Sequence, residues 1–480
     1  MKKRFICFLL LIFILSISAF VACQDSHTHD YANDICVKCG EYRESVGLEL
    51  ELLADNSAYK VVGIGDCEDT RIFIPNTFNN KPVVEISSRA FRENEKITYA
   101  FIPENVSKIK SATFSHCFEL TELEVDKDNK NYKSIDGNIY TADGKVLVQY
   151  ATGKKDESFA IPSHVEQIGT SAFAGSERLI EIVMSDTLTE LGDECFADCI
   201  MLSEISLPSN IDKIPYRAFF NCDMLVNIDI PQSVKSIGKY AFYSCEYLTN
   251  ITVGENLNNV GLFAFEESFS IKFNEKDGLC YLGYDKNPYH ALVRPNDKSV
   301  EHAVITDECA FMADGAFYSC SSLKTAVIGA NIERISKDAF CRCSALETVT
   351  FSEKVKVIDN RAFYSCSVLK DLEFNEGLEV IGEYAFYCCD GIKDLVFPNS
   401  LKSLGEGSFF TCDGLKSVSF GTGIEHINLI VFYFDEALTK FTYRGTLEEW
   451  KKVKKEWYWA FNAVTDKVDC IDGTMQIEEQ

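Results

Sequence analysis

Ile228-Asp229-Ile230-Pro231-Gln232-Ser233-Val234-Lys235-Ser236-Ile237-Gly238-Lys239-Tyr240-Ala241-Phe242-Tyr243-Ser244-Cys245 decides the reading of this chain, because its pattern returns at a fixed interval. Phe242 is one of thirteen phenylalanines on a 23-residue beat. Phe173, Phe196, Phe219, Phe242 and Phe265 form one run. Phe317, Phe340, Phe363, Phe386, Phe409 and Phe432 form another, with Phe91 and Phe114 ahead of both. A short fixed period is the sequence signature of a solenoid.

Other apolar positions keep station with each Phe. From Phe386 they are Ile392 at +6, Leu395 at +9, Phe397 at +11, Leu401 at +15 and Leu404 at +18, with Pro398 at +12 and Gly405 at +19. The +9/+11 pair alternates with a period of two, so each repeat contains one short strand. Pro at +12 ends it, having no N–H for a ladder. Gly at +19 is expected to supply a turn with unusual backbone angles. No repeat can bury its own apolar side, so stacking must do it, with strands about 4.8 Å apart.

The pattern Leu-x-x-Ile-x-Ile-Pro-x-x-Val-x-x-Ile-Gly-x-x-Ala-Phe-x-x-Cys, which Ile228 to Cys245 follows almost residue for residue, resembles the BspA-type leucine-rich repeat of bacterial surface proteins. The resemblance covers residues 60 to 445. It implies a β-rich solenoid of 23-residue leucine-rich repeats and says nearly nothing about a ligand.

The N-terminus reads as an export signal. Met1-Lys2-Lys3-Arg4 is a charged start and Ile6 to Val21 is almost unbroken apolar sequence, with small residues before Cys23. That is the form of a signal peptide over 1–22, and the run is also long enough for an uncleaved membrane anchor. Phe20-Val21-Ala22-Cys23 resembles a bacterial lipobox, which implies lipidation of Cys23 and a lipid-anchored, cell-surface location. With 73 acidic against 47 basic residues the net charge is −26, so nucleic acid is a poor partner.

Twenty cysteines in an exported chain ordinarily suggest disulfides. Here Cys117, Cys199, Cys222, Cys245, Cys320, Cys343, Cys366, Cys389 and Cys412 all stand three residues after an anchor Phe. Same-phase cysteines make a ladder up one edge, filling small inward pockets and hydrogen-bonding turn backbone as free thiols. Asn94, Ser176, Ser268 and Asp435 take their place in other repeats. Residues 23–46 form a polar linker in which His27, His29, Cys36 and Cys39 have the composition of a tetrahedral structural zinc site. A linker without metal and a Cys36–Cys39 disulfide are the alternatives, and no other cofactor is expected.

Residues 47–90 read as an N-terminal cap, 91–443 as the repeats and 444–480 as a C-terminal cap and tail. Two gaps break the beat, one from Phe114 to Phe173 and one from Phe265 to Phe317, each longer than two repeats. Inserted β-hairpins over about 126–158 and 271–305 account for them, the first marked by the turn dipeptides Asp136-Gly137 and Asp143-Gly144. Near the end, Thr446 and Glu449 form a capping box that starts a short helix with Trp450, Val453 and Trp457 on one face.

No catalytic constellation stands out, so the chain is expected not to be an enzyme. The strand positions +8 and +10 point outward and line one long sheet face, the surface solenoids use for binding. They carry Tyr99 and Phe101, then an acidic stripe of Glu122, Glu124, Glu181, Glu204 and Asp229, then a second acidic spot of Asp371, Glu373 and Asp394. Tyr99 and Phe101 are the least expected exposed residues and the candidate hot spots. The function this supports is recognition of, or adhesion to, an extracellular protein (host matrix or another bacterial surface protein) through a basic patch. A structural spacer without its own ligand and a glycan-binding protein are the alternatives. For the fold itself, Phe242→Ala should cost about 3–5 kcal/mol in urea unfolding, and a change below about 1 kcal/mol would mean the Phe ladder is not core.

Overall fold

The computed structural model describes residues 31–32, 34–36 and 42–477. The chain winds as a solenoid with one coil per repeat, and each coil has three sides. On the first, strands such as Asn227–Asp229 and Asn250–Thr252 pair in parallel, Ile228 opposite Ile251. On the second, two-residue strands at +17 and +18 pair the same way: Lys213–Ile214 with Ser236–Ile237, and that with Asn259–Val260. The sequence pattern predicts one strand per coil, and there are two. A strand of two residues is too short to display an alternation.

The third side is the anchor turn, and it too is hydrogen-bonded along the axis. Every anchor Phe is flanked at −2 and +2 by residues in the left-handed region, Tyr240 (φ 58°) and Ser244 (φ 56°) around Phe242. Only Gly175, Gly315 and Gly407 among these positions are glycine. A left-handed residue with a Cβ costs roughly 1–2 kcal/mol. The alternation of hands directs every second N–H at the next coil: Tyr240 donates to Leu262 (3.2 Å), Phe242 to Ala264 (2.8 Å) and Ser244 to Glu266 (3.0 Å). These bonds satisfy turn backbone that burial would otherwise leave unpaired, which offsets the strain.

Inside the turn the Phe rings stack in columns, with centroids 5.2 Å apart for Phe219–Phe242 and 5.0 Å for Phe317–Phe340, and all four rings are fully buried. Gly at +19 does not have the left-handed backbone expected of it. A Cβ on Gly405 would lie 2.5 Å from the carbonyl carbon of Gly382 in the preceding coil, so the residue permits close approach of stacked backbones.

The thiol ladder explains its own composition. Eight of the nine same-phase cysteines donate to the carbonyl of the preceding coil's anchor, among them Cys245 to Phe219 (3.1 Å) and Cys343 to Phe317 (3.0 Å). The Cys245 sulfur also accepts the backbone N–H of Cys222, and burial pushes its thiol up to about 12. The position therefore needs a small group that both donates and accepts, and a neutral thiol or hydroxyl does so. Ser268 takes both roles, donating to Phe242 (2.7 Å) and accepting from the Cys245 N–H (2.9 Å). Ser176 keeps a buried hydroxyl without a partner, and Asn94 instead accepts from the N–H groups of Lys96 and Ile97.

The two gaps in the beat are three-stranded antiparallel meanders. Tyr132–Ile135, Asn138–Thr141 and Val146–Gln149 form the first, and Asn274–Lys276, Leu279–Tyr284 and Asn287–Pro295 the second. The last strand of each rejoins the second side, Leu147 opposite Ile168 and Leu292 opposite Met312. Asp136 (φ 49°) and Gly137 (φ 69°) make the predicted turn of the first. Tyr150 is a concealed anchor. It stands one beat before Phe173, stacks on it at 5.1 Å and donates its N–H to Ala172 (2.9 Å), as an anchor Phe does.

Residues 47–90 already run in register with the repeats, Arg71–Phe73 beside Tyr99–Ile102 and Tyr59–Gly63 beside Lys81–Ile86. At the other end Thr446 and Glu449 form the expected capping box. The helix, Leu447–Trp450, lasts one turn, so Trp457 does not join Trp450 and Val453 on a helical face. Trp457 is 61% exposed and Trp459 takes its place in the core. The chain then makes a vestigial coil in which Phe432 donates to Trp459 (2.7 Å) and Tyr458 and Asn462 are left-handed around Ala460.

Asp435, the carboxylate in the thiol ladder, gives a pH test. One oxygen accepts the Cys412 N–H (2.7 Å) and the other is buried without a partner, and burial pushes the group up to about 8. The folded state keeps a proton that the unfolded chain releases near pH 4, so stability falls from about pH 4 to 8 and levels off above. Asp435→Asn supplies a permanent donor. Its stability relative to the parent should rise across that window, by at most about 1.4 kcal/mol per pH unit, in urea melts at pH 5 and 8.

Candidate recognition face

The first side of the solenoid is not one continuous sheet. Arg71–Phe73, Tyr99–Ile102 and Glu122–Val125 form one sheet, and Ser158–Ala160, Glu181–Val183 and Glu204–Ile205 a second. Asn227–Asp229 and Asn250–Thr252 form a third, and further sheets follow the second insertion. The acidic stripe is divided accordingly.

Tyr99 and Phe101 do not stand exposed as hot spots: they are 2% and 4% accessible. Tyr42, from the linker, lies over them with its ring 4.1 Å from Phe101, and the Arg71 guanidinium sits 3.8 Å from the Tyr99 ring centre. Both phenols donate to Glu124, that of Tyr42 at 3.2 Å, so this carboxylate is half-buried and taken up internally. Burial and that bond to Glu124 raise the Tyr99 phenol well above its ordinary value. Next to Tyr42, Ser45 covers the open edge of the first strand. Its N–H donates to the Phe73 carbonyl (2.9 Å), and its hydroxyl accepts the Phe73 N–H (3.0 Å). An apolar pair at strand positions +8 and +10 is thus an attachment site for the chain's own linker. Tyr42, an aromatic in polar, non-repeating sequence, carried no periodic signal that could have revealed it.

Further along the stripe Glu204 and Asp229 are exposed and Glu181 is half-buried. Glu181 and Glu204 stand opposite each other in register, and like charges so placed destabilise a sheet. Glu181 accepts the Ser158 hydroxyl (2.8 Å), and Asp229 accepts that of Thr252 (2.6 Å). Among the described residues no cation pairs with Glu181, Glu204 or Asp229. Beside Glu204 a shallow groove of about 390 Å³ opens, lined by Val183, Met184, Ile205 and Leu207. Other edges of the same solenoid neutralise their acids in register, Lys324 to Glu301 (2.7 Å), Lys370 to Glu347 (2.9 Å) and Lys402 to Glu379 (2.6 Å).

Glu122 is exposed beside the first insertion, where the Leu123 N–H donates to Gly137 (2.9 Å). Asp371 and Glu373 are exposed but not in a strand: Asp371 is left-handed (φ 52°) and the ladder lapses there, resuming at Asp394–Val396. Asp394 accepts the Ser417 hydroxyl. Cys23, His27, His29 and Cys39 lie outside the described residues, and of Cys36 only the backbone is described, in the two-residue strand Ile35–Cys36.

Residues 66–143, 150–272 and 333–453, more than half of the chain, match the BspA type leucine rich repeat region, in six copies. The chain belongs to the BspA-type leucine-rich repeat family. Solved structures of similar fold include a leucine-rich repeat protein from Bacteroides ovatus (22% identity, 89% of this chain and 98% of that one, TM-score 0.39). Others are a leucine rich cell surface protein from Faecalibacterium prausnitzii (18%, 90% and 99%, 0.34) and the pneumococcal vaccine antigen PcpA (21%, 90% and 98%, 0.38). No curated protein matches the chain.

The linker contact in this BspA-type protein has a local test. A solenoid transmits stability mainly between neighbouring coils. Tyr42→Ala should speed amide hydrogen exchange in 71–73 and 99–102 at least tenfold while leaving 317–432 unchanged. Unaltered exchange at Tyr99 would show that Tyr42 does not cover this face.

Proposed function

We propose that this protein is exported, tethered to the membrane through a lipid on Cys23, and recognises a basic patch of an extracellular protein with its first sheet face, without catalysis. The observation that carries the reading is the in-register pair Glu181 and Glu204, which has no cation partner among the described residues while neighbouring edges alternate Glu and Lys. Their mutual repulsion costs stability and is relieved when a partner brings the missing cations. Asp229 extends the charged surface and the small groove beside Glu204 offers an apolar seat. Structural zinc in the linker, held by His27, His29, Cys36 and Cys39, is compatible with this tether and plays no part in the contact.

The mature chain from Gln24 would be tested against extracellular-matrix and bacterial-surface proteins. A saturable partner should bind more weakly as salt rises. Glu181→Lys/Glu204→Lys/Asp229→Lys should reduce its affinity at least tenfold without lowering the melting temperature. Absence of any partner for well-folded protein would leave the spacer role as the better description.

A further inference from the structure

A second surface lies on the edge between the anchor turn and the first sheet. In the coils of Phe196, Phe219 and Phe242 the +5 residues are Met201, Met224 and Tyr247, exposed by 42%, 38% and 51%. Val226 (38%) adjoins them, and Phe269, one position earlier in the next coil, is 78% exposed. The coils stack directly here, Met224 donating its N–H to Ile200 (3.1 Å), Tyr247 to Asp223 (3.1 Å) and Lys272 to Thr249 (2.9 Å). Apolar side chains are therefore presented once per coil, about 4.8 Å apart.

The repeats supply their own control for whether the fold requires these residues. In the later coils the same +5 position holds Ser322, Ala345, Val368, Gly391, Gly414 and Ala437. Those coils keep the same stacked turn, as in the 5.0 Å Phe386–Phe409 contact. Large apolar side chains at +5 are thus dispensable for coiling, and a contiguous exposed row of them marks a contact surface. Met and Tyr suit such a role, the one adaptable and the other a rigid anchor.

Charge selects the occupant. Asp223 and Glu246, at +4, immediately precede Met224 and Tyr247, and no ion pair engages either among the described residues. Burial, and after it the neighbouring Glu246, hold the Asp223 carboxyl above its ordinary value. A second copy of this chain, at −26, or an anionic bilayer would be repelled. An α-helix advances about 5.4 Å per turn. A helix laid along the solenoid axis therefore meets one apolar residue per turn, with flanking Lys or Arg over the carboxylates. We propose that Met201, Met224, Val226, Tyr247 and Phe269 form a docking surface for the apolar face of a basic amphipathic helix of a partner protein.

The test is fluorescence anisotropy with a labelled 14-residue Leu/Lys helix carrying one Leu face, titrated with the mature chain, beside a Leu/Glu helix of the same pattern. The Leu/Lys probe should bind saturably and the Leu/Glu probe should not. Met224→Ser/Tyr247→Ser, which introduces a residue that a later coil already carries there, should weaken binding at least tenfold with an unchanged melting temperature. Asp223→Lys/Glu246→Lys should do the same. The charge-reversed sheet-face variant Glu181→Lys/Glu204→Lys/Asp229→Lys should stay within threefold of the parent, which separates this surface from the first. Parent-like binding by the Ser variant would mean attraction by charge alone and would overturn the proposal. So would equal binding of the two probes, or a dimer in sedimentation that the Ser variant dissolves.

Discussion

Hydrogen bonds that run from each coil to the next are the constraint on which this molecule depends. A single coil cannot satisfy its own backbone, so all three of its sides must aim N–H and C=O groups along the axis. Two sides do so as short parallel strands. The third does so by alternating left- and right-handed residues around an anchor Phe, a conformation most side chains resist. The thiols and the stacked rings follow from that choice. Close approach of anchor turns brings carbonyls to where only a small donor fits, and Cys245 fills that place for Phe219.

The same architecture separates structural from recognition residues unusually well. Because every position recurs, a residue type that changes between coils without disturbing them is free of the fold. Glu347 and Lys370 show how the outer surface is neutralised when neutrality serves stability. Glu181 and Glu204, side by side with no cation partner among the described residues, depart from that arrangement, as do Met224 and Tyr247 where later coils use Ser, Ala, Val or Gly. Both departures fall between the two insertions, where the Phe column from Phe173 to Phe265 runs unbroken. A rigid segment there holds the contacts at fixed spacing.

The linker contributes more than a tether. Tyr42 and Ser45 close the open edge at the N-terminal end, as a solenoid terminus requires to avoid presenting an unpaired strand. The C-terminal end is closed differently, by a coil in which Trp450 and Trp459 fill the space that an anchor Phe would leave. In both cases aromatic residues outside the repeat pattern perform the closure.

The beat of Phe, Leu and Ile residues by itself determined the solenoid, the phase of the core, the family and the two insertions, since periodic burial leaves a periodic trace. The Asp136-Gly137 turn and the capping box at Thr446 were legible for the same local reason: a backbone conformation demands particular residues within a few positions. Tertiary structure alone decided the rest. The second strand was too short to alternate, and Tyr150 hid as an anchor because it is Tyr where the other anchors are Phe. Outward direction at +8 and +10 did not guarantee exposure, since Tyr42, more than fifty residues away in sequence, covers Tyr99 and Phe101. Periodicity states which way a side chain points within its coil, and only packing states what lies on top of it.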